Sequence, residues 1–261
     1  MTALAARRRS KLASLVLVML GLIVTGVAYA ALAPGRAGAA EDPQQQVAAG
    51  RALFLANCAS CHGVDATGRQ QAPSLVGVGA ASVDFQVGTG RMPLQATGPQ
   101  APEAPVRFSD EEVKQLAAYV ASLGPGPGIP TAEQVDPDNG GDASRGATIF
   151  RTNCAMCHNF AGKGGALTRG KYAPNLDGTT PTHIYEAMLT GPQSMPVFSD
   201  QTISPQEKRD IIAYLKLTEE QPTPGGFSLG FIGPVNEGLV AFVVGLAALI
   251  ACAVWLGAKS S

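Results

Sequence analysis

Asn57-Cys58-Ala59-Ser60-Cys61-His62 returns further along the same chain as Asn153-Cys154-Ala155-Met156-Cys157-His158. Cys-x-x-Cys-His places two thiols on one helical turn, where they can add to the two vinyl groups of a single porphyrin. The next residue then offers an imidazole nitrogen to the iron. Cys58, Cys61, Cys154 and Cys157 are therefore expected to bind two haem c groups covalently, with His62 and His158 as axial ligands. Three other readings compete. A thioredoxin-like redox pair needs no histidine after it. A zinc ribbon joins its cysteine pairs through about 15–20 residues, against the 92 between Cys61 and Cys154. A structural disulfide is the third, and all three are set against two occurrences inside a duplicated module.

The duplication extends outward from these motifs in unbroken order. Gly50-Arg51-Ala52-Leu53-Phe54 precedes the first motif, and Gly146-Ala147-Thr148-Ile149-Phe150 the second. Both copies continue through Ala-Pro-x-Leu, at Ala72 to Leu75 and Ala173 to Leu176. Thr89, Gly90, Met92 and Pro93 are then answered by Thr190, Gly191, Met195 and Pro196. Each copy closes with Phe-Ser-Asp and an amphipathic helix, expected over Glu111–Leu123 and Pro205–Leu217, with Ser109 and Ser204 as N-caps. No alternating strand pattern is visible in either copy.

An iron that transfers electrons takes a sixth ligand, and a thioether raises its potential. Met92 and Met195 are the expected ligands, because both follow their motif at similar spacing, precede proline and lie in glycine-containing loops. The competing role of a methionine is to fill gaps in the core, and Met188, with apolar helical neighbours, is assigned to it. Met156 lies between two attachment cysteines and cannot reach the far side of the porphyrin. The carbonyls of Pro73 and Pro174 are acceptors for the second imidazole nitrogen or simply turn residues. His183, whose counterpart is Ser82, is read as a surface or helix-start residue, and Cys252 as a small apolar one.

Composition sets the frame. The 261 residues include 31 glycines and 19 prolines, yet 46% are hydrophobic, so the chain should fold with many loops. A net charge of −1 gives no support to nucleic-acid binding. Arg7, Arg8, Arg9 and Lys11 form a basic tail over 1–11, followed by an apolar run over 12–33 that is long enough to span a membrane. That run is an anchor or an export signal, and Ala37-Gly38-Ala39 offers a processing site. A second uncharged run covers 238–258 and is followed by Lys259. By the positive-inside tendency both tails are cytoplasmic and the chain between them is extracytoplasmic. Gly124-Pro125-Gly126-Pro127-Gly128 can continue neither a helix nor a strand. The organisation is thus domain 1 over 44–123, a linker over 124–130, domain 2 over 131–220, a second linker over 221–237, and the final membrane helix.

With Gly50, Phe54, the haem motif, the Met-Pro loop and Tyr119 laid out, each module resembles class I cytochrome c, Gly146, Phe150 and Tyr214 repeating the pattern. The resemblance implies an all-α fold of two tandem domains in which first and last helices cross at the glycine. From tail to final helix the chain resembles the di-haem cytochrome c subunit of the actinobacterial cytochrome bc complex, a menaquinol–cytochrome c reductase. That likeness implies a cell-membrane protein partnered by cytochrome b and a Rieske iron–sulfur protein. It would carry electrons toward a haem-copper oxidase, with the first module as acceptor and the second as donor. The enzyme would be the whole complex, with no separate catalytic site on this chain. Three alternatives remain: a di-haem peroxidase, which requires one iron with an open site; the di-haem subunit of a cbb-type oxidase, against which the C-terminal apolar helix speaks; and a cytochrome serving a periplasmic dehydrogenase.

Overall fold

The computed structural model describes residues 11–32, 42–70, 72–96, 98–220 and 234–258. The basic residues Arg7 to Arg9, the processing site at 37–39, most of the 221–237 linker and Lys259 lie outside them. The chain divides into two units, residues 1–42 and 43–261. In the first, helix α1 covers Lys11–Leu32. Its described side chains are almost all exposed, and the helix is long and apolar enough to cross a membrane.

The second unit holds both modules. Module 1 runs through α2 (Pro43–Asn57), α3 (Ala59–His62), α4 (Ala80–Gly88) and α5 (Asp110–Ser122). A short α6 (Ala132–Val135) leads into module 2, which runs through α7 (Ala143–Asn153), α8 (Ala155–His158), α9 (Pro181–Thr190) and α10 (Pro205–Glu220). Its only described strands are β1 (Gly165–Ala166) and β2 (Tyr172–Ala173), an antiparallel pair of two residues each. The apolar α11 (Pro234–Ala258) closes the chain, beginning four residues before the expected run.

In both modules the first helix crosses the last where glycine permits it. A Cβ at Gly50 would overlap the Gln115 carbonyl and stand 2.9 Å from Tyr119 Cβ; one at Gly146 would overlap the Asp210 carbonyl. The close approach seats Phe54 against Tyr119 with ring centroids 5.2 Å apart, and Phe150 against Tyr214 at 5.5 Å. Each phenylalanine is fully buried and contributes about 2 kcal/mol through burial alone. Val113, Leu116 and Val120 complete the contact in module 1, and Ile211, Ile212 and Leu215 in module 2.

The last helices start differently. Ser109 caps α5 in a reciprocal pair with Glu112: its hydroxyl accepts from the Glu112 N–H and its own N–H donates to the Glu112 carboxylate. At α10 the equivalent bonds join Ser204 and Glu207, five residues beyond the serine of the second Phe-Ser-Asp. The intervening turn brings Asp200 to the buried Lys208 ammonium at 2.6 Å.

Asp210 ties α10 to the entry of α7. Its buried carboxylate accepts from Arg145 Nε, from Gln206 and from the Asp142 N–H. Burial alone would raise its pKa, but these donors hold the carboxyl below the usual range. Since the folded pKa is depressed, the stabilisation is present above the unfolded pKa of about 3.9 and is lost as pH falls through the folded value. Asp210→Asn is therefore expected to lower the thermal midpoint at pH 7, and its deficit relative to wild type should shrink below about pH 4. Calorimetry across that range measures both effects.

The modules are not held apart by their linker. Gly124–Gly128 is neither helix nor strand, as composition requires, but it lies along module 1, where Ala81 N–H donates to Pro127 O at 3.1 Å. Module 1 also reaches across. Gln100 brackets the Tyr172 backbone, its amide donating to Tyr172 O at 3.2 Å and its carbonyl accepting from Tyr172 N–H at 2.8 Å, while Ala101 N–H donates to Gln193.

Candidate haem-attachment sites

In each module the motif occupies the break after the first helix. Cys58 N–H still bonds to Phe54 O at 2.8 Å, and the Cys61 and His62 amides then turn back onto Cys58 O at 3.1 and 3.0 Å. Cys154 repeats this with Phe150, and Cys157 and His158 turn back onto Cys154 O. Both cysteines and the histidine are thereby carried on a single turn, α3 or α8. The exits take a positive φ, +84° at Gly63 and +66° at Asn159, with ψ 154° at both, a conformation that glycine adopts freely and asparagine holds outside the left-handed helical well.

No disulfide joins any of the four cysteines, which removes the structural-disulfide reading. Burial, and then the neighbouring thiol, push Cys58 and Cys154 up to about 11. An uncharged sulfur against apolar side chains suits a thioether, which has no charge to solvate.

The histidines are oriented by the two prolines. His62 Nδ1 lies 2.8 Å from Pro73 O, and His158 Nδ1 lies 3.2 Å from Pro174 O. A carbonyl only accepts, so the proton must sit on Nδ1, and Nε2 is left with its lone pair. Burial lowers the His158 pKa, with the Pro174 carbonyl partly opposing, and so favours the neutral ring. Two sulfurs and an imidazole whose Nε2 is turned away from its carbonyl partner are the donor set that a covalently attached porphyrin iron requires, and the residues fit it in both modules.

Met92 and Met195 are partly buried and pack against the cores of their own modules. Their backbones are held in place, Met92 N–H by Gln86 O and Met195 N–H by Pro192 O. Of the other two methionines within the modules, Met156 lies on the attachment turn and is 87% exposed, and Met188 is in the core at 2%, whereas Met92 and Met195 lie in loops between helices.

His183 departs from the surface reading. It does stand at the start of α9, its N–H capped by the Thr180 hydroxyl, but its side chain is only 20% exposed. The ring meets Phe85 edge-on at 6.0 Å, with Nε2 3.8 Å from Asp84 Oδ2. Burial lowers its pKa, although Asp84 opposes this. The matching of Ser82 to His183 makes α4 and α9 equivalent helices. Nothing in either segment announces that the two pack on each other, which is why Asp84 and Glu186 drew no attention in the sequence.

Comparison with known proteins agrees with this geometry. Residues 47–124 match the family model described as cytochrome c, and residues 141–215 match that of cytochrome c oxidase, cbb3-type, subunit III. The chain is 45% identical over 271 residues to the cytochrome bc1 complex cytochrome c subunit of Corynebacterium efficiens, covering 97% of this chain and 90% of that protein. It is 42% identical over 265 residues to the subunit of the same name from Mycobacterium tuberculosis, covering 97% and 93%. The cbb3-type cytochrome c oxidase subunit FixP of Sinorhizobium medicae is 32% identical over 147 residues, 52% of this chain and 46% of that protein. With its two cytochrome c domains and two covalently bound haem c groups, this chain belongs to the family of cytochrome bc1 complex cytochrome c subunits.

Proposed function

We propose that this chain is the di-haem electron-transfer subunit of a respiratory menaquinol–cytochrome c reductase. It takes electrons from a Rieske iron–sulfur protein seated on cytochrome b and passes them toward a haem-copper terminal oxidase. The observation that carries this reading is coverage. The Corynebacterium efficiens and Mycobacterium tuberculosis subunits of the bc1 complex are matched over 90% and 93% of their own length, whereas the cbb3-type relative is matched over 46% of its own. That difference favours the reductase over the cbb-type oxidase subunit.

The two apolar helices anchor the chain in the membrane, and the basic residues outside them favour haem domains on the extracytoplasmic face. Haem c supplies a one-electron couple at its iron. The chain's own part is to hold that iron in one coordination state and exclude water from it. Cys58 with Cys61, and Cys154 with Cys157, would hold the group; His62 and His158, oriented by Pro73 and Pro174, would offer Nε2 to the iron, and Met92 and Met195 would offer it a thioether. An iron saturated by His and Met offers no open site, which favours a carrier over a peroxidase. Catalysis belongs to the complex, and this chain contributes no separate catalytic residue.

The test is to tag the chain in its host, solubilise membranes in mild detergent, and record reduced-minus-oxidised spectra with quinol-driven oxygen uptake. Co-purifying b- and a-type haem with quinol-dependent respiration is the expected result. Recovery of c-type haem alone, with no quinol activity, refutes the assignment and makes peroxide turnover the next assay.

A further inference from the structure

The equivalent helices α4 and α9 meet across the module boundary, and between them lies a cluster that the haem sites do not use. Asp84 comes from α4. His183 and Glu186 come from α9, three residues apart and so on one face. One donor atom of each lies within 4.8 Å of the other two. Glu186 is fully buried, and while it is ionised no donor reaches either of its oxygens; burial, and then Asp84, push its pKa up to about 9, so without a cation the two carboxyls share a proton. Such a group is costly unless something compensates it. Packing does not require it, because the repeat places Phe85 at the equivalent position of module 1, where an apolar side chain fills the same kind of space. Nor does the nearby guanidinium satisfy it: Arg91 pairs with Glu103 at 3.5 Å and lies over the Phe85 ring.

We propose that Asp84, His183 and Glu186 form a divalent-metal site of the zinc type that joins the two modules. Two carboxylates and an imidazole balance a dication and leave one position for water, a coordination zinc accepts. Metal bonds of about 2.0–2.2 Å would draw the donors in by roughly 1 Å from their present spacing. Gly88 leaves the room needed: a Cβ there would stand 3.2 Å from His183 Nε2 and crowd the atom that holds the cation. Because Asp84 lies in one module and the other two ligands in the second, the ion would fix the orientation of one haem domain to the other.

The experiment uses the full-length haem-loaded chain in detergent, purified without a histidine tag and dialysed against chelator, then titrated with Zn²⁺ against a chromophoric competitor. Wild type is expected to bind one Zn²⁺ per chain. Outer-shell changes at metal sites cost about 10–100-fold in affinity, so loss of a direct ligand in His183→Gln or Glu186→Gln should weaken binding by about 100-fold or more. Glu133→Gln, a change at an exposed carboxylate, should leave it unchanged. The haem spectrum of each variant reports folding, and if Glu186→Gln loses haem, His183→Gln decides alone. Absence of stoichiometric zinc in wild type, or affinity in the ligand variants equal to wild type, overturns the proposal; Glu186 would then be a carboxyl sharing its proton with Asp84.

Discussion

Met195→Ala lowers the reduction potential of the second module's haem and leaves the first unchanged, and Met92→Ala does the converse. A thioether is a weak, soft donor that favours the ferrous state, so its replacement by water or a stray nitrogen favours the ferric one. Axial ligation spans roughly 0.8 V across haem proteins, and a drop on the order of 0.1–0.3 V is expected here. The vacated position should also admit carbon monoxide to the ferrous iron. A spectroelectrochemical titration of each variant would show one of two waves displaced. Wild-type potentials with no new ligand binding in both variants would show that these methionines only pack against the core.

Gly146→Ala is expected to destabilise module 2 by about 3 kcal/mol despite the better helix propensity of alanine, which returns roughly 1 kcal/mol. The added carbon meets the Asp210 backbone carbonyl, part of a helix that cannot rotate aside like a side chain. Helices α7 and α10 must separate, and the Phe150–Tyr214 contact opens with them. Thermal unfolding and the haem yield of the purified chain measure the loss. Gly128→Ala is the control, since nothing lies within 4 Å of the added carbon. Equal stability of the two variants would remove the crossing from the account of the fold.

What could be read beforehand follows from how local each signal is. The attachment turns and Ser109 and Ser204 as caps are encoded over a few residues, the glycine-to-aromatic crossings were implied by the resemblance to class I cytochrome c, and the structure contains each of them. The Pro73 and Pro174 carbonyls, readable either as acceptors or as turn residues, are seen to be acceptors. The module boundary was less legible. Gly124–Gly128 announces a break in secondary structure, but composition says nothing of whether a broken segment hangs free, and here it is packed onto Ala81. The burial of His183 was hidden for the same reason, because a helix that packs on its own duplicate shows only an ordinary apolar face. Asp84 and Glu186 read as polar positions on helices whose partner cannot be identified from either segment alone.

Two haem domains that share a packed boundary and one chain have a kinetic consequence. Electron passage between separate carriers is a bimolecular event, slowed by dilution and by salt that screens their encounter. Within this chain the Gln100 clasp on Tyr172 and the α4–α9 contact hold the two modules against each other, so that on the proposed relay no encounter between them is needed. On that proposal the step between modules would be first order, insensitive to dilution and to ionic strength, and any concentration dependence in turnover would arise at the outer ends of the relay.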